Sequence, residues 1–175
     1  MKTKILSLFI VALCFNSLQA QNFPKVDISP MDAVIVRTDD GQSFMRIIYS
    51  RPQKKGREIF GGLVPYGEVW RTGANEATEI TFYEKVTFGG KPIDAGTYSL
   101  FTIPNKDKWT VILNKELNQW GAYQYDSSKD VARIEVKPKS TVANVETFSI
   151  TSKKVDKGYH LLLGWDDTYI EIPVY

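Results

Sequence analysis

The chain has 175 residues, with 22 Lys and Arg against 20 Asp and Glu, one histidine and one cysteine. Lys2 and Lys4 precede an apolar run from Ile5 to Phe15 that is too short to span a bilayer, and Ala20 is a small residue at a plausible cut site, so residues 1–20 are a predicted secretory signal and Gln21 the mature start. Cutting there removes two lysines and no acid, so the remaining 155 residues carry 20 basic and 20 acidic side chains, which excludes the basic footprint of a nucleic-acid partner.

Other classes fall with it. No later stretch reaches the ~18–20 apolar residues of a spanning helix. Cys14 leaves with the signal, so disulfide and thiol chemistry go too. Leu13 before Cys14 is not the small residue that lipid attachment requires, so soluble export, periplasmic or secreted, is the expectation. Residues 21–175 are expected to form a single β-rich domain, large enough to bury about 68–70% of its unfolded surface without staples.

In chain order the periodicity is that of strands. Val34-Ile35-Val36 and Phe44 to Tyr49 flank Thr38-Asp39-Asp40-Gly41, a hairpin signal. Thr78 to Tyr83 alternates, with Ile80 and Phe82 on one face. Val86-Thr87-Phe88 and Lys91-Pro92-Ile93 flank Gly89-Gly90, which suits a primed hairpin turn, and Pro92 places a strand at a sheet edge. Asp94 to Leu100 reads as a turn into a strand, with Tyr98 as a corner tyrosine bonded back to main chain. Thr97 to Ile103, Trp109 to Leu113, Val131 to Val136, Val145 to Thr151, Tyr159 to Trp165 and Thr168 to Val174 complete about ten short strands, the last two separated by a predicted turn at Asp166-Asp167. No amphipathic helix interrupts them. The expected architecture is an all-β antiparallel β-sandwich, with a closed β-barrel as the alternative.

One segment breaks the pattern. Arg51 to Ala77 holds five glycines and two prolines and has no clear helix or strand. Connections this long are uncommon in compact domains and are often functional. Ile59, Phe60, Leu63, Val64, Tyr66, Val69 and Trp70 supply apolar surface to dock it. The segment mixes Arg51, Lys54, Lys55, Arg57 and Arg71 with Glu58, Glu68 and Glu76. An arginine fork suits bidentate contact with a carboxylate or phosphate. The candidate ligand-binding set is therefore Arg51, Arg57 and Arg71 for an anionic group, Tyr66 and Trp70 for stacking, and Asn75 and Glu76 for orientation. Trp120 and Tyr123, in a loop, are the further aromatics expected at the surface. The opposing expectation is purely structural, with Arg71 and Glu76 paired to hold the loop.

Tyr49-Ser50-Arg51-Pro52, Lys55-Gly56-Arg57, Ile59-Phe60-Gly61 and Leu63-Val64-Pro65-Tyr66-Gly67 resemble a family of exported bacterial proteins, mainly from Bacteroidetes, catalogued as domain of unknown function 2911. So do Val69 to Thr78, Ala95 to Phe101, Trp109 to Ile112 and Trp120-Gly121. The resemblance runs from about Ile28 to the end of the domain. It implies an exported β-rich domain and no particular activity, so it brings no catalytic residues. Glu79 stands where the family pattern has a threonine.

Catalytic alternatives are thin. His160, the sole histidine, sits on a strand opposite Leu161, Leu163 and Trp165, with no nucleophile-elbow pattern to make a triad. Histidine-rich metal sites lack ligands, and paired aspartates at Asp39-Asp40 and Asp166-Asp167 are ordinary turn residues unless calcium gathers them. No cofactor is called for. The leading expectation is a non-enzymatic module binding a small polar or anionic ligand, or a glycan. The alternatives are an envelope hydrolase using Glu76 as acid or base beside Glu58, Glu68 or Glu79, and an accessory protein docking through Phe60, Leu63 and Tyr66.

Overall fold

The computed structural model describes residues 22–175, so the predicted signal lies outside the described residues. Six strands form one sheet: β1 (Met31–Arg37), β2 (Ser43–Ser50), β3 (Thr78–Phe82), β6 (Gly96–Ile103), β7 (Trp109–Asn114) and β8 (Asp130–Val136), in the order β1-β2-β3-β6-β7-β8. Four form the other: β4 (Val86–Phe88), β5 (Lys91–Ile93), β9 (Lys139–Val155) and β10 (Gly158–Val174), in the order β5-β4-β10-β9. Every pairing is antiparallel. The sheets do not close on each other, so the fold is a β-sandwich and not the barrel. Among the described residues no helix is long and apolar enough to cross a membrane.

Alternation in the sequence becomes burial in the fold. Ile80 and Phe82 of β3, Trp109, Val111 and Leu113 of β7, and Tyr159, Leu161, Leu163 and Trp165 of β10 all point into one core. Each such side chain contributes about 1.5–3 kcal/mol by leaving water. The Gly89-Gly90 hairpin has φ of 54° and 86°, and a Cβ on Gly89 would lie 2.2 Å from the Ile134 side chain, so only glycine serves there. Pro92 lies on β5, at the edge of the four-stranded sheet. The Tyr98 hydroxyl donates to the Asp94 carbonyl at 3.0 Å, closing the corner expected of it.

The C-terminal region corrects the sequence reading. Asp166-Asp167 is not a chain reversal. β10 runs 17 residues through it and pairs with a 17-residue β9. Register shifts fall between Gly164 and Asp166 and between Asp166 and Thr168, and Asp166 takes φ of 59°. From Gly164 to Thr168 β10 advances four residues while β9 advances nine, from Ser149 to Ser140, so the surplus residues lie in β9 and the alternation of β10 switches across the left-handed Asp166. Tyr159 to Trp165 accordingly bury their odd positions, while Ile170, Ile172 and Val174 bury even ones. Two predicted strands and a turn are one bulged strand.

Candidate functional site

The long segment joining β2 to β3 is docked at its start as a further strand-like run beside β9. Gln53 bridges Thr147, the Phe148 amide donates to the Pro52 carbonyl at 2.9 Å, and the Lys54 amide donates to the Glu146 carbonyl at 2.7 Å. Arg51 completes the anchor. Its Nη1 pairs with Asp32 Oδ2 at 2.9 Å, Nη2 donates to Ser149 Oγ at 2.9 Å, and Nε donates to the Phe148 carbonyl at 3.2 Å. One guanidinium thus ties β1 in the first sheet to β9 in the second.

The segment then turns at Glu58–Val64, where the Leu63 amide donates to the Glu58 carbonyl at 3.0 Å and Val64 to Ile59 at 2.8 Å. A Cβ on Gly62 would lie 2.7 Å from the Glu58 carbonyl oxygen. Beyond it Trp70 exchanges both backbone hydrogen bonds with Thr102 of β6, at 2.7 and 2.9 Å. Its indole is 7% exposed, stacks on Trp165 at 5.9 Å, and meets Phe148 and Phe60 edge-on. The indole N–H donates to the Gly73 carbonyl at 3.0 Å. Trp70 is a core aromatic whose edge reaches the surface, not an open platform. Phe60 likewise turns inward, 4.7 Å from Trp109, while Leu63 and Tyr66 stay exposed.

Five residues, Arg71 to Asn75, then form a tight turn with two non-glycine residues in the left-handed region, Thr72 at φ 56° and Asn75 at φ 57°. That conformation is a real outlier for a β-branched residue. Thr72 is fully buried and over-determined. Its hydroxyl lies 3.1 Å from that of Thr102, and its carbonyl accepts from the Thr78 hydroxyl at 2.6 Å. Gly73 passes so close to β2 that a Cβ would sit 2.9 Å from the Ser50 carbonyl. These contacts pin the turn, and Arg71 is its first residue.

Arg71 is partly buried, yet among the described residues it makes no ion pair and its Nε, shielded from solvent, has no hydrogen-bond partner. Burial draws its pKa below the usual guanidinium value, opposed by Tyr123 nearby; the group stays charged at neutral pH. Glu76, the partner expected under the structural reading, is exposed and bridges Trp120 through backbone instead. Arg71 lines a cavity of about 340 Å³ with Arg57, Asn75, Trp70 and Gly73, and Asp27, Ile28 and Ser29 cross its rim. Arg57 gives hydrogen bonds only to the Gln53 and Lys54 carbonyls, so its charge is also unneutralised by any described carboxylate within ion-pair distance. Asn75 Nδ2 donates to Asp27 Oδ1 at 3.2 Å.

A family model described as "Protein of unknown function (DUF2911)" matches residues 29–174. The chain belongs to that family. No curated protein and no solved structure matches it.

Of the seven candidate residues in this DUF2911 chain, the fold gathers Arg57, Trp70, Arg71 and Asn75 around one cavity. Arg51 is consumed by its inter-sheet contacts. Tyr66 lies elsewhere, beside Asn105 and Lys106, whose ammonium is 6.0 Å from its ring. Glu76 and Glu79 line a separate cavity of about 220 Å³, where Glu79 Oε1 accepts the Asn118 amide at 2.9 Å. Asp27, Ile28 and Ser29 are cavity residues that the sequence does not flag, because nothing in a polar, patternless N-terminal stretch ties it to a loop more than 20 positions away. No group of three or more His, Cys, Asp or Glu side chains is arranged for a metal among the described residues. His160 is held by Glu171, 2.6 Å from its Nδ1, and by the Tyr175 hydroxyl at 3.2 Å from Nε2.

Proposed function

We propose that this DUF2911 protein is an exported, non-enzymatic binding module that takes a small ligand bearing a carboxylate or similar anion in the Arg57–Arg71–Asn75 cavity. Lys2, Lys4 and the apolar run to Phe15 support the export. The observation that carries the binding is Arg71, which has no partner among the described residues. Shielding part of a guanidinium from water without a counter-charge is unfavourable. A strained turn pinned through Thr72 nevertheless holds it at a cavity, where a ligand anion would satisfy it through two parallel hydrogen bonds. Trp70 and Trp165 supply an apolar floor, and Asn75 offers the polar contact that sets orientation. Calorimetric titration with glucuronate, succinate and inorganic phosphate tests this. At least one binds the wild type, and Arg71→Ala weakens it by about tenfold or more, as the loss of a charge-assisted bond requires. Equal affinity in both proteins refutes it.

A second reading, hydrolysis of a glycan, is favoured by Glu76 and Glu79 sharing one concave face. There Glu79 anchors the Asn118 backbone and Glu76 is open. Release of reducing sugar that disappears in both Glu76→Gln and Glu79→Gln would establish it; release that survives either substitution would dismiss it.

A further inference from the structure

The Arg71 cavity does not stand alone. A second hollow of about 230 Å³ is lined by Pro65, Glu68, Val69, Ala122 and Tyr123, and it shares Leu63, Val64, Trp70 and Arg71 with the first. The two adjoin through those residues, as two arms that share Arg71. Their chemistry is not uniform. Positive charge sits where they meet, at Arg71, and again in the first arm at Arg57, while each arm carries a carboxylate, Asp27 in the first and Glu68 in the second. Tyr123 flanks the second arm, 84% exposed. Its ring lies against Gly121, where a Cβ would stand 2.7 Å from Tyr123 Cε2, so the missing side chain at Gly121 (φ 72°) is what allows the ring to sit there.

Resting on the anion-binding reading, we propose that the ligand is an oligosaccharide with one acidic sugar flanked by neutral ones. The single carboxylate would meet Arg71 in the middle. Neutral sugars would extend into the arms, where Asp27 and Glu68 accept hydrogen bonds from hydroxyl groups. Tyr123 would take the apolar face of a ring. The same two acids oppose a phosphate chain, a polyuronate or any other ligand charged along its length, because like charges at close range are unfavourable. They also give no reason for a lone acid monomer to be the preferred ligand, since it leaves both arms unused.

Calorimetry on the purified protein separates these cases with four probes: a xylotetraose bearing one glucuronic acid, unsubstituted xylotetraose, tetragalacturonate and free glucuronate. The singly acidic oligosaccharide binds tightest, by about tenfold over each of the others. Tyr123→Ala weakens it by about 3–10-fold, a larger loss than it causes for glucuronate, while Tyr123→Phe retains most of the affinity. Asp27→Asn with Glu68→Gln raises the affinity for tetragalacturonate. Tetragalacturonate binding as tightly as the singly acidic probe, or glucuronate matching it, overturns the inference and leaves an anion site standing. Neutral xylotetraose binding equally, or no acidic probe binding at all, also overturns the inference, and brings down the anion site as well when succinate and phosphate fail to bind. Melting curves of each variant confirm that it is folded.

Discussion

The segment between β2 and β3 opens on Arg51 and carries Arg71 near its close, and the two guanidinium groups have opposite surroundings. Arg51 is about one-third exposed and spends all three donor nitrogens on the fold, at Asp32, Ser149 and the Phe148 carbonyl. Arg71 has its Nε shielded from solvent and bonded to nothing among the described residues, beside a cavity. The same residue type, 20 positions apart, is an inter-sheet tie in one place and an uncompensated charge in the other. A domain selected only for stability would carry the first arrangement and replace the second with a neutral side chain. The difference therefore separates the part of the loop that holds the sandwich together from the part that is available to a ligand.

Three substitutions probe that division, measured by urea denaturation without ligand. Trp70→Ala removes the wall the two regions share, and with it the stack on Trp165 and the contacts to Phe60 and Phe148. It costs about 3–5 kcal/mol and abolishes binding; a loss below about 1 kcal/mol would mean that the loop is only draped on the core. Arg51→Met removes a part-buried charged group with three partners and leaves Asp32 unpaired, at a cost of about 1–3 kcal/mol with ligand affinity intact. A larger effect on affinity than on stability would place Arg51 in the site and erase the contrast. Asn75→Gly relieves the left-handed strain at φ 57° while giving up only an exposed hydrogen bond to Asp27. Its stability effect stays within about 0.5 kcal/mol, whereas a loss of binding would show that Asn75 positions the ligand.

How far these regions can be read from sequence differs for physical reasons. Strands and hairpins are written in local patterns: alternation at Thr78 to Phe82, glycines at 89 and 90 whose positive φ few other residues tolerate, and Tyr98 four residues from the carbonyl it reaches. The bulge at Asp166 is hidden because two aspartates carry a turn signature, and only pairing with β9 holds them within a strand. The arginines are harder still. Arg51 and Arg71 lie in equally polar, glycine-rich surroundings, and what distinguishes them is a strand almost 100 positions downstream that supplies partners to one and not the other. Composition marked the loop as the place for a site, and the likeness to DUF2911 marked its motifs. Neither indicated that Arg57, Trp70, Arg71 and Asn75 would converge while Arg51, Tyr66 and Glu76 would not.

Arg71→Met tests the central claim most directly. Methionine keeps the length and the apolar packing of the side chain while removing the charge and the orphaned Nε. If Arg71 is held for a ligand and not for the fold, the ligand-free variant unfolds at the same urea concentration as the wild type or a higher one, with a gain of up to about 1 kcal/mol. A loss of about 1–3 kcal/mol, the size expected for Arg51→Met, would make Arg71 a structural residue and contradict the assignment of the cavity as a binding site.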